Sequence, residues 1–122
     1  MANELTLTGN FAYTDANGAK QELGVDSLLQ SVTTKVTSRA QQSIATSETT
    51  INLGGVASVG WLILVNLDDT NYVEIKTAAS GTIIAKLPPG GFCILYLGSG
   101  ITAPVAIANT AACIIDKLIC SQ

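Results

Sequence analysis

Short apolar runs broken by turn residues constrain this chain more than any other feature. From residue 51 onward the runs read VGWLILVNL, NYVEIKT, GTIIAKL, GFCILYL, APVAIANT and ACIIDKLIC, with turn signals about every 8 to 12 residues. Runs of this length at this spacing form the strands of an all-β sandwich or barrel. VGWLILVNL is apolar at nearly every position, which predicts a strand covered on both faces. NYVEIKT alternates, setting Val73 and Ile75 against Tyr72, Glu74 and Lys76. GTIIAKL stops at Pro88-Pro89-Gly90-Gly91, where the prolines offer no N–H to a ladder. GFCILYL stops at Gly98-Ser99-Gly100. About eight to ten strands in two packed sheets are expected, a β-sandwich of jelly-roll type.

The first part of the chain differs. Up to about residue 50 it is polar and rich in Thr, Ser, Ala and Gln. ELTLTGNFAY alternates, with Leu5, Leu7, Phe11 and Tyr13 on one side and Thr6 and Thr8 on the other, as a half-buried strand does. Asn17-Gly18 is a two-residue turn signal, because both types accept positive φ. VDSLLQSVTTKV reads two ways: Asp26 or Ser27 could cap a short helical turn, whereas Val32-Thr33-Thr34 favours strand. Residues 1–45 are therefore expected to form an N-terminal β arm and hairpin, and residues 46–122 a compact sandwich, one domain overall.

Composition excludes several classes. The chain has 122 residues, 48% of them hydrophobic, which is enough for a single core and the reverse of a disordered composition. Net charge is −3, and six Lys and Arg residues scattered along the chain make no basic face. Neither nucleic acid nor an anionic membrane is an expected partner. No run reaches the 18 apolar residues of a membrane-spanning helix, and MANELTLTGNF lacks a basic n-region followed by an apolar stretch. The chain is expected to be made in a cytosol and to stay there unless it leaves inside a larger object.

The search for chemistry finds little. With no histidine in the sequence, a Ser-His-Asp or Cys-His arrangement cannot be built. Cys93, Cys113 and Cys120 form no C-x-x-C pair, and each lies in an apolar run, so they read as small buried hydrophobes and not as zinc ligands or a disulfide. NLDDTN, residues 66–71, sets two carboxylates between two amides. Consecutive side chains on extended backbone point to opposite faces, and the spacing of an EF-hand is absent. The stretch reads as a hairpin loop of four or five residues, since Asp and Asn bond to nearby backbone. PPGG and GSG match no phosphate-binding motif and read as turns. No catalytic residue, cofactor or metal site is expected. Trp61, Tyr72 and Tyr96 could form a sugar-stacking platform, although such rings more often fill a core or its rim.

One property is left over. Only 12% of the residues are charged, so a domain this small must expose a weakly polar surface or have part of it covered. A polar β arm ahead of a compact body suits strand exchange or addition to a neighbouring subunit. Both point to a symmetric assembly, with Leu5, Leu7, Phe11 and Tyr13 as the candidate interface.

TSETTINLGGVASVGWLILVNLDDTNYVEI, AKLPPGGFCILYLG and APVAIANTAACIIDKLI together resemble a group of small structural proteins of tailed bacteriophages. In that group a strand runs into a W/Y-L-x-x-x-N-L-D-x-T-N-Y-V-E hairpin, then an L-x-P-G-E turn and an A-N-T-A-A segment. The likeness covers about residues 46–119, and residues 1–45 share only the general character. Gly91 stands where the group has an acidic residue. The resemblance implies a virion component without catalytic activity. A capsid decoration, or cement, protein is the expected station, contacting copies of itself, with a trimer favoured, and the major capsid protein. A tail, neck or baseplate component is the alternative, and a carbohydrate-binding sandwich the other.

Overall fold

The computed structural model describes residues 3–32 and 37–122. Ten strands follow in order: β1 (Asn3–Thr14), β2 (Lys20–Val32), β3 (Thr37–Ile44), β4 (Thr49–Thr50), β5 (Val59–Asn66), β6 (Val73–Lys76), β7 (Ile83–Leu87), β8 (Phe92–Tyr96), β9 (Val105–Ala108) and β10 (Cys113–Ser121). No α-helix occurs among the described residues, and every strand pairing is antiparallel. The chain falls into two compact units, residues 1–33 and 34–122.

The first unit is the β1–β2 hairpin. Its strands pair from Asn3 with Val32 to Thr14 with Lys20, interrupted by one bulge between Leu7 and Gly9. β2 runs unbroken through Asp26 and Ser27, so neither residue caps a helical turn; the segment takes the strand alternative. Thr33 and Thr34 of the same stretch lie outside the described residues. The tip differs from the two-residue turn expected at Asn17-Gly18. Asp15 N–H donates to the Ala19 carbonyl at 2.9 Å and Gly18 N–H to the Asp15 carbonyl at 3.1 Å, which makes a three-residue loop. Only Gly18 of that loop takes positive φ, at 85°. A type I turn followed by a left-handed glycine has this form. The Asp15 carboxylate fixes it by accepting from the Asn17 and Ala19 amides, each at 2.9 Å.

The second unit holds two four-stranded sheets, ordered β3-β10-β5-β8 and β4-β9-β6-β7. β3, which the sequence reading groups with the arm, pairs along its whole length with β10. The two sheets share one core. Ile44, Leu62, Leu64, Cys113, Ile115 and Ile119 come from the first sheet, and Val73, Ile75, Leu87, Ala106 and Ala108 from the second. These positions alternate along each strand with less buried ones, as a pleat requires. Their β-branched side chains fit a pleated, half-buried surface. Full burial of one Ile or Leu is worth about 1.5–3 kcal/mol, so this shared core holds the sheets face to face in a sandwich-like arrangement.

VGWLILVNL departs from expectation. β5 is covered on only one face: Leu62, Leu64 and Asn66 are buried, whereas Trp61, Ile63 and Val65 are half-exposed. Cys113 and Cys120 are buried and Cys93 half-buried, and all three are free thiols.

Candidate functional site

NLDDTN does turn a corner, but not a hairpin. β5 lies in one sheet and β6 in the other, so residues 67–72 carry the chain across the edge of the core. Asn66 organises the crossing from a fully buried position. Its Nδ2 donates to the carbonyls of Asn71 at 2.8 Å, Leu87 at 3.3 Å and Pro88 at 3.2 Å. Its Oδ1 accepts from the Asp68 amide at 3.0 Å. Asp68 Oδ1 then accepts from the backbone amides of Asn71 at 2.6 Å and Thr70 at 2.8 Å. The Asn71 and Thr70 hydrogen bonds hold the Asp68 carboxyl below its ordinary range, against an opposing desolvation effect. Asp69 Oδ1 accepts from the Thr70 hydroxyl at 3.0 Å. The carboxylates are thus engaged with their own loop, as Asx turns are. No cluster of three or more His, Cys, Asp or Glu occurs among the described residues.

The Pro88–Gly91 turn is welded to this corner. Gly91 N–H donates to the Pro88 carbonyl at 2.8 Å, and Gly90, at φ 70°, is the third residue of that type II turn. Gly90 N–H donates to the Asp68 carbonyl at 3.0 Å, and Asn66 N–H to the Gly91 carbonyl at 2.8 Å. A Cβ on Gly91 would stand 2.5 Å from Pro88 Cδ, so the turn as built needs a glycine there.

Two charged arrangements lie elsewhere. Lys117 occupies a core-facing position of β10 and is 3% exposed. Its ammonium donates to Asn52 O at 2.6 Å and Gln42 Oε1 at 3.0 Å, and desolvation pushes its pKa down. Glu48 meets Lys76 Nζ at 2.9 Å and the amide of Ser80, a residue at φ 57°. The Lys76 hydrogen bond first, and the Ser80 amide second, hold Glu48 below its ordinary range. Both arrangements close on themselves. A recess of about 130 Å³ near Val59 and Ile101 is lined by Ala57, Ser58, Gly98, Thr102 and Gln122, without an ionisable side chain.

The aromatic trio does not assemble into one platform. Trp61 meets Tyr96 edge-on, with centroids 5.3 Å apart and planes at 72°. Tyr72 precedes β6 in the other sheet and lies under the Lys86 ammonium, 3.7 Å from the ring centre. Of the four candidate interface residues, Leu5 is buried and Leu7 half-buried, whereas Phe11 is 44% and Tyr13 66% exposed.

The feature that sequence reasoning missed is the outer face of the β3-β10-β5-β8 sheet. Cross-strand register sets Trp61 opposite Tyr96, Ile63 opposite Ile94 and Val65 opposite Phe92. On the other side Ile63 faces Leu118, and Ile114 stands further along β10. Phe92 is 50%, Tyr96 57%, Ile94 39% and Ile114 49% exposed. The β10 and β3 half of this face is polar: Asp116, between Ile114 and Leu118 and opposite Val65, pairs with Arg39 at 2.6 Å, and Gln41 and Ser43 continue the outer row of β3. The signal was present: VGWLILV and GFCILYL are apolar at both parities of the strand period, so one apolar set had to face away from the core.

No protein-family model, curated protein or solved structure matches the chain.

Proposed function

We propose that this protein is a structural component of a tailed-bacteriophage virion, a capsid decoration protein that works by burying surface and not by catalysis. The observation that carries the reading is the exposed apolar outer face over β5 and β8 of the β3-β10-β5-β8 sheet. Contiguous apolar surface of this kind marks a protein interaction site, and a scattering of single residues would not. The strand orders support classing the sandwich as a jelly roll, eight strands wound as two Greek keys. That architecture serves viral shells and lectins alike, so the fold argues by analogy and the site must decide. The likeness of residues 46–119 to phage structural proteins supplies the virion setting. In it the protein would sit on the outside of the shell, against its own copies and the major capsid protein. Its net charge of −3 suits a place away from packaged DNA.

A carbohydrate-binding role is the second reading, favoured by the exposed Tyr96 beside Trp61. Their edge-on geometry weighs against it, because stacking on a sugar needs an open ring face. The test is electron microscopy of tailed particles from cells carrying the gene in its native setting, labelled with antibody against the purified protein. Label over the shell supports decoration. Label at the tail, neck or baseplate replaces it with the alternative station, and unlabelled particles overturn the virion reading.

A further inference from the structure

We infer that Asn17, at the tip of the β1–β2 hairpin, is a modification site: its side-chain amide is lost spontaneously, leaving aspartate or isoaspartate, and Asp15 sets the rate. The inference is independent of the virion reading.

The next residue selects the site. When an asparagine deamidates, the backbone nitrogen of the following residue attacks the side-chain carbonyl carbon and closes a five-membered ring. A side chain on that following residue crowds the approach, and glycine has none. Asn17 alone is followed by glycine; the other asparagines precede Glu4, Phe11, Leu53, Leu67, Tyr72 and Thr110. The fold separates them further. Asn66 is buried and bonded through both amide atoms, and Asn52 and Asn109 accept from the Gly54 and Tyr72 amides. Asn17 is exposed, and its side chain takes part in no hydrogen bond among the described residues. A Cβ placed on Gly18 would meet nothing within 4 Å, so the space about the attacking residue is open.

Asp15 opposes the reaction. Gly18 N–H donates to the Asp15 carbonyl at 3.1 Å, so the attacking nitrogen must first leave an acceptor. The Asp15 carboxylate holds the amides on either side, those of Asn17 and Ala19, each at 2.9 Å. These bonds pin the loop. The carboxylate charge also disfavours loss of the Gly18 proton, because a negative charge nearby makes a second one costlier. The loop thus slows the reaction without abolishing it.

The bonds balance without an oxidant. Hydroxide from solvent removes the Gly18 amide proton, the nitrogen bonds to Asn17 Cγ, and the Cγ–Nδ2 bond breaks to release ammonia. Water then opens the ring, and a proton returns to the Gly18 nitrogen. Cleavage of the new Cγ–N bond leaves aspartate. Cleavage at the backbone carbonyl leaves isoaspartate, whose main chain runs through Cγ. Either product adds one carboxylate to a chain of net charge −3, making it −4. The isoaspartate form also lengthens the loop by one methylene, and hairpin register depends on loop length. The Asp15–Ala19 backbone bond that closes the loop is then broken, so an aged chain carries a looser and more acidic tip.

The test keeps the full chain in mildly alkaline buffer for days and follows peptide masses and isoelectric focusing with time. Conversion is expected at Asn17 alone, with one charge gained and one oxygen taken from isotopically labelled water. It should run several-fold slower in the folded protein than in guanidinium. Asp15→Ala is expected to remove most of that difference. Asp15→Asn, which keeps an acceptor oxygen but not the charge, should fall between Asp15→Ala and the native protein. Asn17→Gln, which would have to close a larger ring, is expected to gain no charge. An intact Asn17 in the folded protein when the denatured chain has converted, or equal conversion at the other asparagines, would overturn the site. An Asp15→Ala chain that converts no faster than the native one would overturn the role given to Asp15.

Discussion

Replacing Asn66 with Ala tests whether one amide holds the corner between the two sheets. The side chain makes four hydrogen bonds, at 2.8, 3.0, 3.2 and 3.3 Å, from a position with no exposure. Alanine removes all four and takes this partner from the Asn71 carbonyl and the Asp68 amide, while the Pro88 carbonyl keeps the Gly91 N–H. Taking about 1 kcal/mol for each shorter bond and half that for each longer one gives a loss of about 3 kcal/mol. For 122 residues, at about 2.1 cal/mol/K of unfolding entropy per residue, the melting temperature should fall by about 12 °C. Urea titration followed by Trp61 fluorescence, with calorimetry beside it, reads both quantities. Thr70→Ala serves as the control, since the Thr70 hydroxyl bonds only within the exposed part of the loop, to Asp69. It should stay within about 0.5 kcal/mol of the native protein. A loss below about 1 kcal/mol for Asn66→Ala would mean that the loop and the Pro88–Gly91 turn hold each other without the amide.

Gly91→Ala should cost about 1–3 kcal/mol, because its methyl enters the space of the Pro88 ring; equilibrium unfolding checks it, and a neutral result would show that the turn shifts freely. Lys117 gives a pH signature. Its folded-state pKa lies below the ordinary 10.5, so between those values the unfolded chain binds more protons and the stability contributed by this group rises with pH. The stability of Lys117→Met relative to the native protein should therefore be greater at pH 7 than at pH 10, and equal differences at the two pH values would refute the assignment. The thiols should react slowly with a disulfide reagent at pH 8, Cys93 being pushed up to about 11, and all three should react promptly in denaturant. Fast reaction of any thiol in the folded protein would contradict the burial described.

The strands were legible because each apolar run stops at a residue with a backbone reason to stop. Gly90 takes positive φ, and Pro88 and Pro89 lack N–H donors. Val73 and Ile75 against Glu74 and Lys76 gave the faces of β6 correctly, since one face of that strand is buried. At VGWLILVNL the same rule fails, because an apolar second face is not thereby a covered one. Periodicity says which side chains share a face and nothing about what lies opposite. The loop at Asn17-Gly18 is one residue longer than the dipeptide predicts because Asp15, outside it, captures two amides. The NLDDTN corner was legible as a turn from its Asx residues. Its span between sheets was not, because that depends on where β6 finds partners, and those are β7 and β9, further along the chain.

The order of strands has a consequence in time. In the β3-β10-β5-β8 sheet, β10 lies between β3 and β5, yet it comes after both in the chain. During synthesis β3 waits for its only neighbour in the sheet, β10, whereas β5 gains β8 first and keeps its other edge open until β10 is made, more than fifty residues after β5 begins. Until then β3 and one edge of β5 are unpaired and open to any neighbouring chain. Closing so many distant pairings makes for slow folding, and slow folding prolongs the exposure of adhesive surface. The chain thus passes through an interval in which it can adhere wrongly to other copies. Its yield in cells should depend on temperature and expression rate more than its final stability would suggest.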